Sequence, residues 1–293
     1  RLPGVFEVRT ERDVLAIREW IERDAMPFAG AYDHAGIRFD RRARRAIVIG
    51  GGITGLKSAE DLIRTGFEVT LIERSDQLLS HLDREFASLV QSHVAAHGVR
   101  VALGESVAAF VPHDAGRVDV ELKSGRTLAA DIVLLALGVK PDTSLARAAG
   151  LAIGKFGGIR VDEHMRSSDP DIFAIGRVAE VRDFVTGEWC VATLPGSAYR
   201  QGRIAADVIA DRDARFRGVQ GTAIVGLFGG AAAWTGITEK VLRKKGADDF
   251  EKVYLFPNSH AGYYPGATPM ALKLVFRKSD GRVLGAQALG EDG

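Results

Sequence analysis

Hydrophobic and polar residues along the chain follow helical and strand-like periods in turn. Apolar residues recur at helical spacing among charged ones over 11–25, which predicts an amphipathic helix. The continuous apolar run 46–49 is typical of a parallel strand that is buried on both faces. A helical pattern follows over 53–65 and ends at Gly66, and a second strand pattern covers 67–72. Residues 46–72 therefore predict a β-α-β unit.

The pattern continues with further elements as far as residue 137. A helix is predicted over 84–97, with Asp83 as its cap and Gly98 after its end. Strands are predicted near 99–103, 106–111 and 117–122, and a buried parallel strand over 132–137. The β-α-β unit is thus extended by an antiparallel meander and a closing strand.

Two regions with different patterns follow residue 150. The region 151–215 predicts an apolar strand at 172–175, a loop around 182–190 and a helix at 197–210. From residue 216 the strand signal is stronger. This last region predicts a helix near 238–246 and strands at 251–256, 271–277 and 282–289, with an Asp280-Gly281 hairpin turn.

Composition narrows the class of protein. A length of 293 residues predicts about two domains, and 39 basic against 38 acidic residues argue against a disordered tail and a strongly basic nucleic-acid binder. The basic run 41–45 is interpreted as a solvated approach to the buried strand. No apolar run reaches the roughly 18 residues of a membrane helix, so no membrane partner is expected. Cys190 is the single cysteine, which excludes an internal disulfide framework and favours a cytoplasmic location.

The sequence Gly50-Gly51-Gly52-Ile53-Thr54-Gly55 fits the dinucleotide-binding pattern G-x-G-x-x-G between a buried strand and a helix. Gly50 permits the tight turn, Gly52 allows the backbone to approach a pyrophosphate, and Gly55 allows close packing of the helix on the strand. The pyrophosphate would lie at the helix N-terminus, where Ile53 and Thr54 contribute free amides.

An acidic residue completes this pattern. Glu73 ends the second strand, where a carboxylate accepts hydrogen bonds from ribose hydroxyls and repels a 2′-phosphate. It favours NAD over NADP, although the adjacent Arg74 weakens that preference. Gly138 follows the closing strand, and either contacts the cofactor or only ends the strand in a turn.

Five ordered segments carry a resemblance to a known family. They are GGGITG at 50–55, LLALGVKP at 134–141, GGIRVDEHMRSSDPDIFAIGRVAEV at 157–181, GSAYRQGRIAAD at 196–207 and HAGYYPGATPMALKLVF at 260–276. The chain resembles the flavin-dependent pyridine nucleotide–disulfide oxidoreductases over essentially its whole length, and within them the coenzyme A-disulfide reductase and NADH oxidase branch. The resemblance implies hydride transfer from NADH to FAD, and then electron transfer to a cysteine-based centre, oxygen or peroxide.

The resemblance also implies a domain order. It assigns 1–40 to the tail of a first FAD-domain segment, 41–150 to the NAD(P)-binding domain, 151–215 to the returning FAD-domain segment and 216–293 to a partial dimerisation domain. The expected fold class is α/β: a Rossmann-like NAD-binding domain inserted in a partial FAD-binding domain, followed by the start of an α+β dimerisation domain. The chain is then an internal piece that lacks the redox cysteine and the first flavin fingerprint.

Two positions depart from the family pattern. Lys57 follows Gly55-Leu56 where the family has an acid, and Arg177 follows Gly176 where the family has the Asp that holds the flavin ribityl hydroxyls. Each exchange reverses a charge, and the guanidinium of Arg177 accepts no hydrogen bonds, so both positions predict weak or absent FAD binding by this chain.

A few further side chains are of types that carry chemistry. The resemblance implies that Tyr263 or Tyr264 reaches a partner's active site in a homodimer formed through 216–293; the alternative is packing of both in the β core. Cys190 is expected to be a partly buried, unreactive thiol. No metal site is predicted: His93 and His97 have metal-ligand spacing but no third ligand, and Asp162-Glu163-His164 is interpreted as a loop between strands.

Three hypotheses follow. The first is a fragment of an FAD- and NAD(H)-dependent oxidoreductase that binds NAD(H) but is inactive alone. The second is a stand-alone NAD(H)-binding module without catalysis. The third, an NAD dehydrogenase with its own acid and base, is disfavoured because no catalytic His–Asp pair is recognisable.

Overall fold

The computed structural model describes residues 2–23, 44–113 and 117–291, with helices and strands that follow one another along a mixed α/β chain. The helices are α1 Glu11–Arg23, α2 Ile53–Arg64, α3 Arg84–Ala96, α4 Ser144–Ala148, α5 Pro195–Ile209 and α6 Glu239–Lys244. The first eight strands are β1 Val5–Glu7, β2 Arg45–Ile49, β3 Glu68–Glu73, β4 Arg100–Leu103, β5 Val107–Pro112, β6 Val118–Leu122, β7 Thr127–Ala130 and β8 Ile132–Leu135. The others are β9 Ile159–Arg160, β10 Ala179–Arg182, β11 Trp189–Val191, β12 Ala223–Leu227, β13 Gly230–Gly236, β14 Glu251–Leu255, β15 Met270–Phe276 and β16 Val283–Gly290.

The contacts divide the chain into two compact units. Unit 1 contains residues up to 80, 84–138 and 227–229, and unit 2 contains 81–83, 139–226 and 230 onwards. The four predicted segments were drawn from the resemblance, and their boundaries stay a prediction.

Unit 1 is built on a parallel sheet of five strands in the order β1-β8-β2-β3-β4. The apolar run of β2 lies in the centre of this sheet, and Val48 is completely buried. Because parallel strands need a crossover, α2 connects β2 to β3 and buries Leu56, Ala59 and Leu62. The predicted Rossmann-like β-α-β unit is therefore confirmed.

The edge strand of this sheet comes from the first residues of the chain. β1 pairs in parallel with β8, with Val5 opposite Val133. The predicted segment 1–40 therefore contains a strand of the same sheet that carries the glycine-rich turn.

A three-stranded antiparallel sheet of β5, β6 and β7 covers one face of the parallel sheet. Val118, Val120 and Leu122 of β6 alternate inward and share a core with Ile47 and Ile72. The meander was predicted, but its third strand, β7, was missed, and the strand predicted near 99–103 is β4 at the edge of the parallel sheet.

Unit 2 contains a three-stranded sheet, β11-β10-β9, and a five-stranded sheet, β12-β13-β16-β15-β14. The long pairs β13–β16 and β15–β16 are antiparallel, and the Asp280-Gly281 turn predicted the second of these pairs. One core cluster packs Met165, Val181 and Phe216 beside the smaller sheet.

The predicted strand at 172–175 is wrong. Only Phe173 forms a bridge, to Arg166, while Ala174 donates its amide to the carbonyl of Met165. Phe173 and Ala174 contribute to the core of unit 2, so their apolar character reflects burial. A short 3₁₀ helix begins at Gly176.

The loop predicted around 182–190 is shorter than expected. Arg182 and Trp189 lie opposite one another in the antiparallel pair β10–β11, and the connecting turn occupies the residues between them. Charged residues in this pair masked the strand signal, and the Trp189 ring packs between the guanidinium groups of Arg160 and Arg182, at 3.8 and 4.0 Å from the ring centroid.

A buried ionic network joins distant parts of unit 2. The Nζ of Lys273, a completely buried side chain, donates to Asp83 and to Glu239, at 2.8 Å in each case. Asp83 was predicted to cap the helix at 84, and α3 does begin there. Its carboxylate, however, accepts hydrogen bonds from the backbone amides of Glu239 and Lys240 at the start of α6. Because every buried charge here meets an opposite one, the cost of desolvation is offset.

Among the helices of the described residues, none is long and apolar enough to cross a membrane.

Candidate dinucleotide-binding site

The glycine-rich segment forms a tight turn at the carboxyl end of β2. Gly50 has a φ of +113°, and a Cβ there would lie 2.4 Å from the carbonyl oxygen of Ala136. The residue directly after β2 must therefore be glycine for two reasons. Its positive φ is unfavourable for other residues, and a side chain there would collide with the backbone that follows β8.

Gly55 sets the distance between α2 and this turn. A Cβ at Gly55 would lie 1.8 Å from the carbonyl oxygen of Gly50 and 3.4 Å from the Cβ of Ala136. The first turn of α2 therefore packs directly on backbone, as its position in the motif predicts.

Gly52 lies at the N-cap of α2 and faces open space. A Cβ built on Gly52 would meet no protein atom within 4 Å, in contrast to Gly50 and Gly55. The first amides of a helix, here those of Ile53, Thr54 and Gly55, have no carbonyl partner within the helix. With the positive end of the helix dipole, they form a site suited to an anionic group such as a pyrophosphate.

Glu73 ends β3 beside this turn. Its Oε2 accepts the amide of Gly51 at 2.6 Å and its Oε1 accepts the amide of Ser75 at 2.7 Å. Burial opposes ionisation of the carboxyl group, but the hydrogen bonds from Ser75 and Gly51 outweigh it and lower the pKa of Glu73. Each carboxylate oxygen keeps further acceptor capacity for a hydroxyl. Glu73 thus braces the glycine turn, a role that the sequence pattern did not predict.

Gly138 follows β8, the strand next to β2. It has a φ of +80°, and a Cβ there would meet nothing within 4 Å. Ala136 lies against the Gly50 turn, and Gly138 follows Ala136 by two residues in the sequence. Both alternatives for Gly138, a cofactor contact or a plain turn, are compatible with this geometry.

Gly176 and Arg177 belong to unit 2, in the short 3₁₀ helix. Gly176 has a φ of +75°, and its amide donates to Oε1 of Gln201 at 2.6 Å. The Arg177 guanidinium donates to the carbonyl oxygen of Thr193 at 2.8 Å. Arg177 therefore offers only donors at this turn, and it does not fit the hydroxyl-accepting role that the resemblance implies for its position.

Lys57 has a partner within its own helix. Its Nζ lies 2.5 Å from Oε2 of Glu60, a side chain that is almost completely buried. The reversed charge at Lys57 is thus neutralised by an ion pair within its own helix.

The two tyrosines do not pack in the β core. Tyr263 is 84% exposed and Tyr264 62% exposed, and their rings contact each other at a centroid distance of 4.9 Å. The expectation of core packing is wrong because both lie in an irregular segment between β14 and β15.

The remaining candidates have structural contacts. Asp162 accepts the amides of His164 and Arg166, which confirms the loop interpretation. Cys190 lies half-buried in β11, and burial raises the pKa of its thiol to about 11, with a smaller contribution from Asp183 and Glu180. His93 and His97 of α3 both contact the segment Leu227–Phe228: His93 Nε2 lies 3.0 Å from the Leu227 carbonyl oxygen, and the His97 ring stacks on Phe228.

Several residues of the site were missed by the sequence analysis because they lie outside the glycine motif and contact it only in the folded chain. Ser75, Leu78 and Ala136 support the turn around Gly50 and Gly51. The only signal for them was their position just after β3 and β8, at the sheet edge where ligands bind in open α/β folds.

Comparison with known proteins identifies the family. The model of the pyridine nucleotide-disulphide oxidoreductases matches residues 2–202, and that of their dimerisation domain matches 222–293. The chain belongs to the pyridine nucleotide-disulphide oxidoreductase family. The expected fold class and the resemblance to the coenzyme A-disulfide reductase and NADH oxidase branch are thereby confirmed.

Individual relatives agree with this assignment. A Pyrococcus abyssi protein named NAD(P)H sulfur oxidoreductase (CoA-dependent) is 31% identical over 99% of this chain and 61% of its own length. The crystal structure of a reduced Bacillus anthracis protein, CoADR-RHD, superposes with a TM-score of 0.89 at 38% identity, covering 100% of this chain and 49% of the other. The water-forming NADH oxidase of Lactobacillus brevis, solved with NADH, gives 0.85 at 26% identity, over 99% of this chain and 61% of the other. The chain therefore spans about half to three fifths of these relatives.

Proposed function

We propose that the chain binds NAD(H) at the turn Gly50–Gly55, with the pyrophosphate over Gly52 and the first amides of α2. The observation that carries this proposal is the contrast between the glycines. A Cβ at Gly50 or Gly55 would collide with a backbone carbonyl oxygen, whereas a Cβ at Gly52, at the helix N-terminus, would meet no protein atom within 4 Å. Such a site binds an anionic group through backbone amides.

Glu73 supports a preference for NAD(H) over NADP(H). Its carboxylate is held beside the turn by Gly51 and Ser75, and its lowered pKa keeps it ionised at neutral pH. A fixed negative charge at this position accepts ribose hydroxyls and repels a 2′-phosphate.

For the whole protein we propose hydride transfer from NADH to a flavin, as the family resemblance implies. The acceptor is coenzyme A disulfide, oxygen or peroxide. This chain alone is proposed to be inactive, because the pKa of about 11 leaves its single thiol a poor nucleophile. The second candidate, an NAD(H)-binding module without catalysis, is favoured by Arg177, which offers no acceptor to a flavin hydroxyl.

We further propose a homodimer formed through 216–293, in line with the matched dimerisation domain. No nucleic-acid partner is expected from a near-neutral charge balance, and the cytoplasmic location stays a prediction.

The test is a titration with NADH and NADPH, followed by nicotinamide fluorescence. Gly52→Ala should weaken NADH binding at least about tenfold without loss of stability, because its Cβ meets only the proposed pyrophosphate. Glu73→Ala should weaken NADH binding and narrow the gap to NADPH.

The matched control is Gly226→Ala in β12, whose Cβ would meet only ordinary contacts. The proposal fails if the wild-type chain shows no saturable binding, or if Gly52→Ala and Gly226→Ala bind NADH alike.

A further inference from the structure

Unit 2 contains a cavity of about 550 Å³ beside the antiparallel pair β10–β11. Two further segments line it, namely 161–164, which follows β9, and 216–218, which precedes β12. Its lining residues all belong to unit 2, so the cavity shares no residue with the glycine turn of unit 1. Its volume falls within the roughly 300–1,000 Å³ of small-molecule sites in proteins.

Apolar side chains form the inner wall of this cavity. Val161, Val181 and Phe216 line it, and all three are buried members of the core cluster of unit 2. The ring of Trp189, a residue of intermediate exposure, adds an aromatic surface. An apolar group seated against these side chains loses its own contact with water, which favours its binding.

Backbone contacts tie the walls of the cavity together. The amide of Val219 donates to the carbonyl of Arg182 at 2.9 Å, and the amide of Phe216 donates to the carbonyl of Glu163 at 2.7 Å. Gly218 has a φ of +101°, and a Cβ there would lie 2.6 Å from the carbonyl oxygen of Arg182. The segment is therefore packed closely on β10, and a ligand would enter a preformed site.

Arg182 is fixed at the wall without losing its charge. Its guanidinium lies 4.0 Å from the centroid of the Trp189 ring and donates to the carbonyl oxygen of Gly187 at 3.0 Å. In the described part of the chain, no carboxylate forms an ion pair with it. A guanidinium that is stacked in this way keeps further donors for a carboxylate.

The charge of the lining is positive on balance. Arg217 is exposed and lines the cavity, and no acid among the described residues pairs with it. The two acids of the lining have other partners, since Asp162 accepts two backbone amides and Glu163 pairs with Arg215 at 2.8 Å. Together with Arg182, three arginines thus meet two acids, and the cations left over are those of the cavity wall.

We propose that this cavity is a binding site for a small organic acid with an apolar body. The arginines of the wall bind its carboxylate, because the guanidinium group matches carboxylate geometry. The apolar body lies against Val161, Val181 and Phe216. The inference goes beyond the proposed function, because it involves no residue of the dinucleotide site.

The experiment observes the tryptophans one by one. Trp189 lines the cavity, whereas Trp20 and Trp234 do not. The chain is labelled with fluorotryptophan, its fluorine NMR spectrum is recorded during titration with phenylbutyrate, and Trp189→Phe identifies the resonance of Trp189. We expect a saturable shift of this resonance alone. Phenylbutyramide lacks the charge and acetate lacks the apolar body, so each should bind at least about tenfold more weakly.

Arg217→Gln tests the cation of the wall. Since Arg217 is exposed and unpaired among the described residues, the variant should keep its fold, which an unmoved Trp234 resonance verifies. We expect at least about tenfold weaker binding of phenylbutyrate. The matched control is Arg203→Gln on α5, because Arg203 is equally exposed in unit 2 but does not line the cavity. It should retain wild-type affinity.

The assignment is overturned if phenylbutyrate leaves the Trp189 resonance unmoved, or if the acid and its amide bind alike. Equal shifts of all three tryptophan resonances would overturn it too, since they indicate general association with apolar surface. Equal affinities of Arg217→Gln and Arg203→Gln would remove the arginine from the site. All these titrations are read without NADH, so they stand whether or not the glycine turn binds a dinucleotide.

Discussion

At the scale of single residues, the glycines of the β2–α2 turn differ in what a side chain would contact. Gly55 is the most crowded, because its Cβ would overlap the carbonyl oxygen of Gly50. Neither atom can move away by rotating a side chain, since a Cβ is fixed to its Cα and the carbonyl oxygen belongs to the backbone. The consequences of substitution therefore differ sharply within one short motif.

Gly55→Ala should destabilise the chain by about 1–3 kcal/mol and displace α2, because overpacking against backbone forces a shift. Urea unfolding followed by far-ultraviolet circular dichroism measures this effect. Gly52→Ala is the control and should unfold like the wild type, since its Cβ meets nothing within 4 Å. Equal midpoints for the two variants would contradict the packing described here.

The thiol of Cys190 is expected to be almost unreactive. With a folded pKa of about 11, caused first by burial, its thiolate fraction at pH 8 is about a hundredfold below that of an unfolded thiol. Reaction with a disulfide reagent such as 5,5′-dithiobis(2-nitrobenzoate) should be slower by about that factor in the folded chain than in urea. Similar rates in both states would show that the thiol is not shielded.

At the scale of elements, buried charges join segments that are distant in the sequence. The start of α6 is held by Asp83, and Lys273 of β15 bridges Asp83 and Glu239. Such a network stabilises the native arrangement only while it is complete, because an unpaired buried charge is costly.

Lys273→Met should lower the free energy of unfolding of unit 2 by about 3–5 kcal/mol, since it removes the cation that bridges the buried carboxylates of Asp83 and Glu239. Fluorescence of the buried Trp234 during urea unfolding reports on this unit. Lys278→Met, at an exposed position near Glu251, makes the same exchange and should have little effect. A similar loss in both variants would indicate that the network is dispensable.

The network should also weaken in acid. Burial opposes ionisation of Glu239, but Lys252, Lys273 and Arg243 outweigh it and lower its pKa to about 2 from its ordinary value of 4.5. A lowered folded pKa means that the stabilisation is complete above pH 4.5 and is lost as the pH falls towards 2. Between pH 4.5 and 2, the free energy of unfolding should fall less steeply with decreasing pH in Glu239→Gln than in the wild type. An unchanged pH dependence would assign the acid sensitivity to other groups.

At the scale of the whole molecule, the matched dimerisation domain and the exposed aromatic residues near the end of the chain favour self-association. Phe256, Tyr263 and Tyr264 are each more than half exposed within one chain. Aromatic side chains of this kind are enriched at protein interfaces.

We expect a homodimer in sedimentation velocity, and the double substitution of Tyr263→Asp and Tyr264→Asp should shift it to a monomer. Tyr199→Asp is the control, because Tyr199 is 79% exposed but lies outside 216–293. A monomeric wild type, or dissociation caused by the control substitution, would contradict a dimer through this region.

Much of the candidate site could be predicted from short-range pattern. The run 46–49, the glycine spacing and Glu73 at the end of a strand each depend on neighbours within one β-α-β unit, where local periodicity specifies the structure. The prediction of a strand at 172–175 was wrong for the opposite reason. Apolar residues there pack in the core of unit 2, and the amides of Ile172 and Ala174 donate to the carbonyls of Asp169 and Met165 and not to a neighbouring strand.

The sequence by itself determined the family, the glycine turn and the order of most elements, since these are written in residue spacing and in turn chemistry. Only the tertiary structure decided that Glu73 braces Gly51, that Lys57 is paired with a buried Glu60, and that Asp83 holds α6. Those contacts join residues whose separation in the sequence carries no signal, and burial decides which charges must find partners.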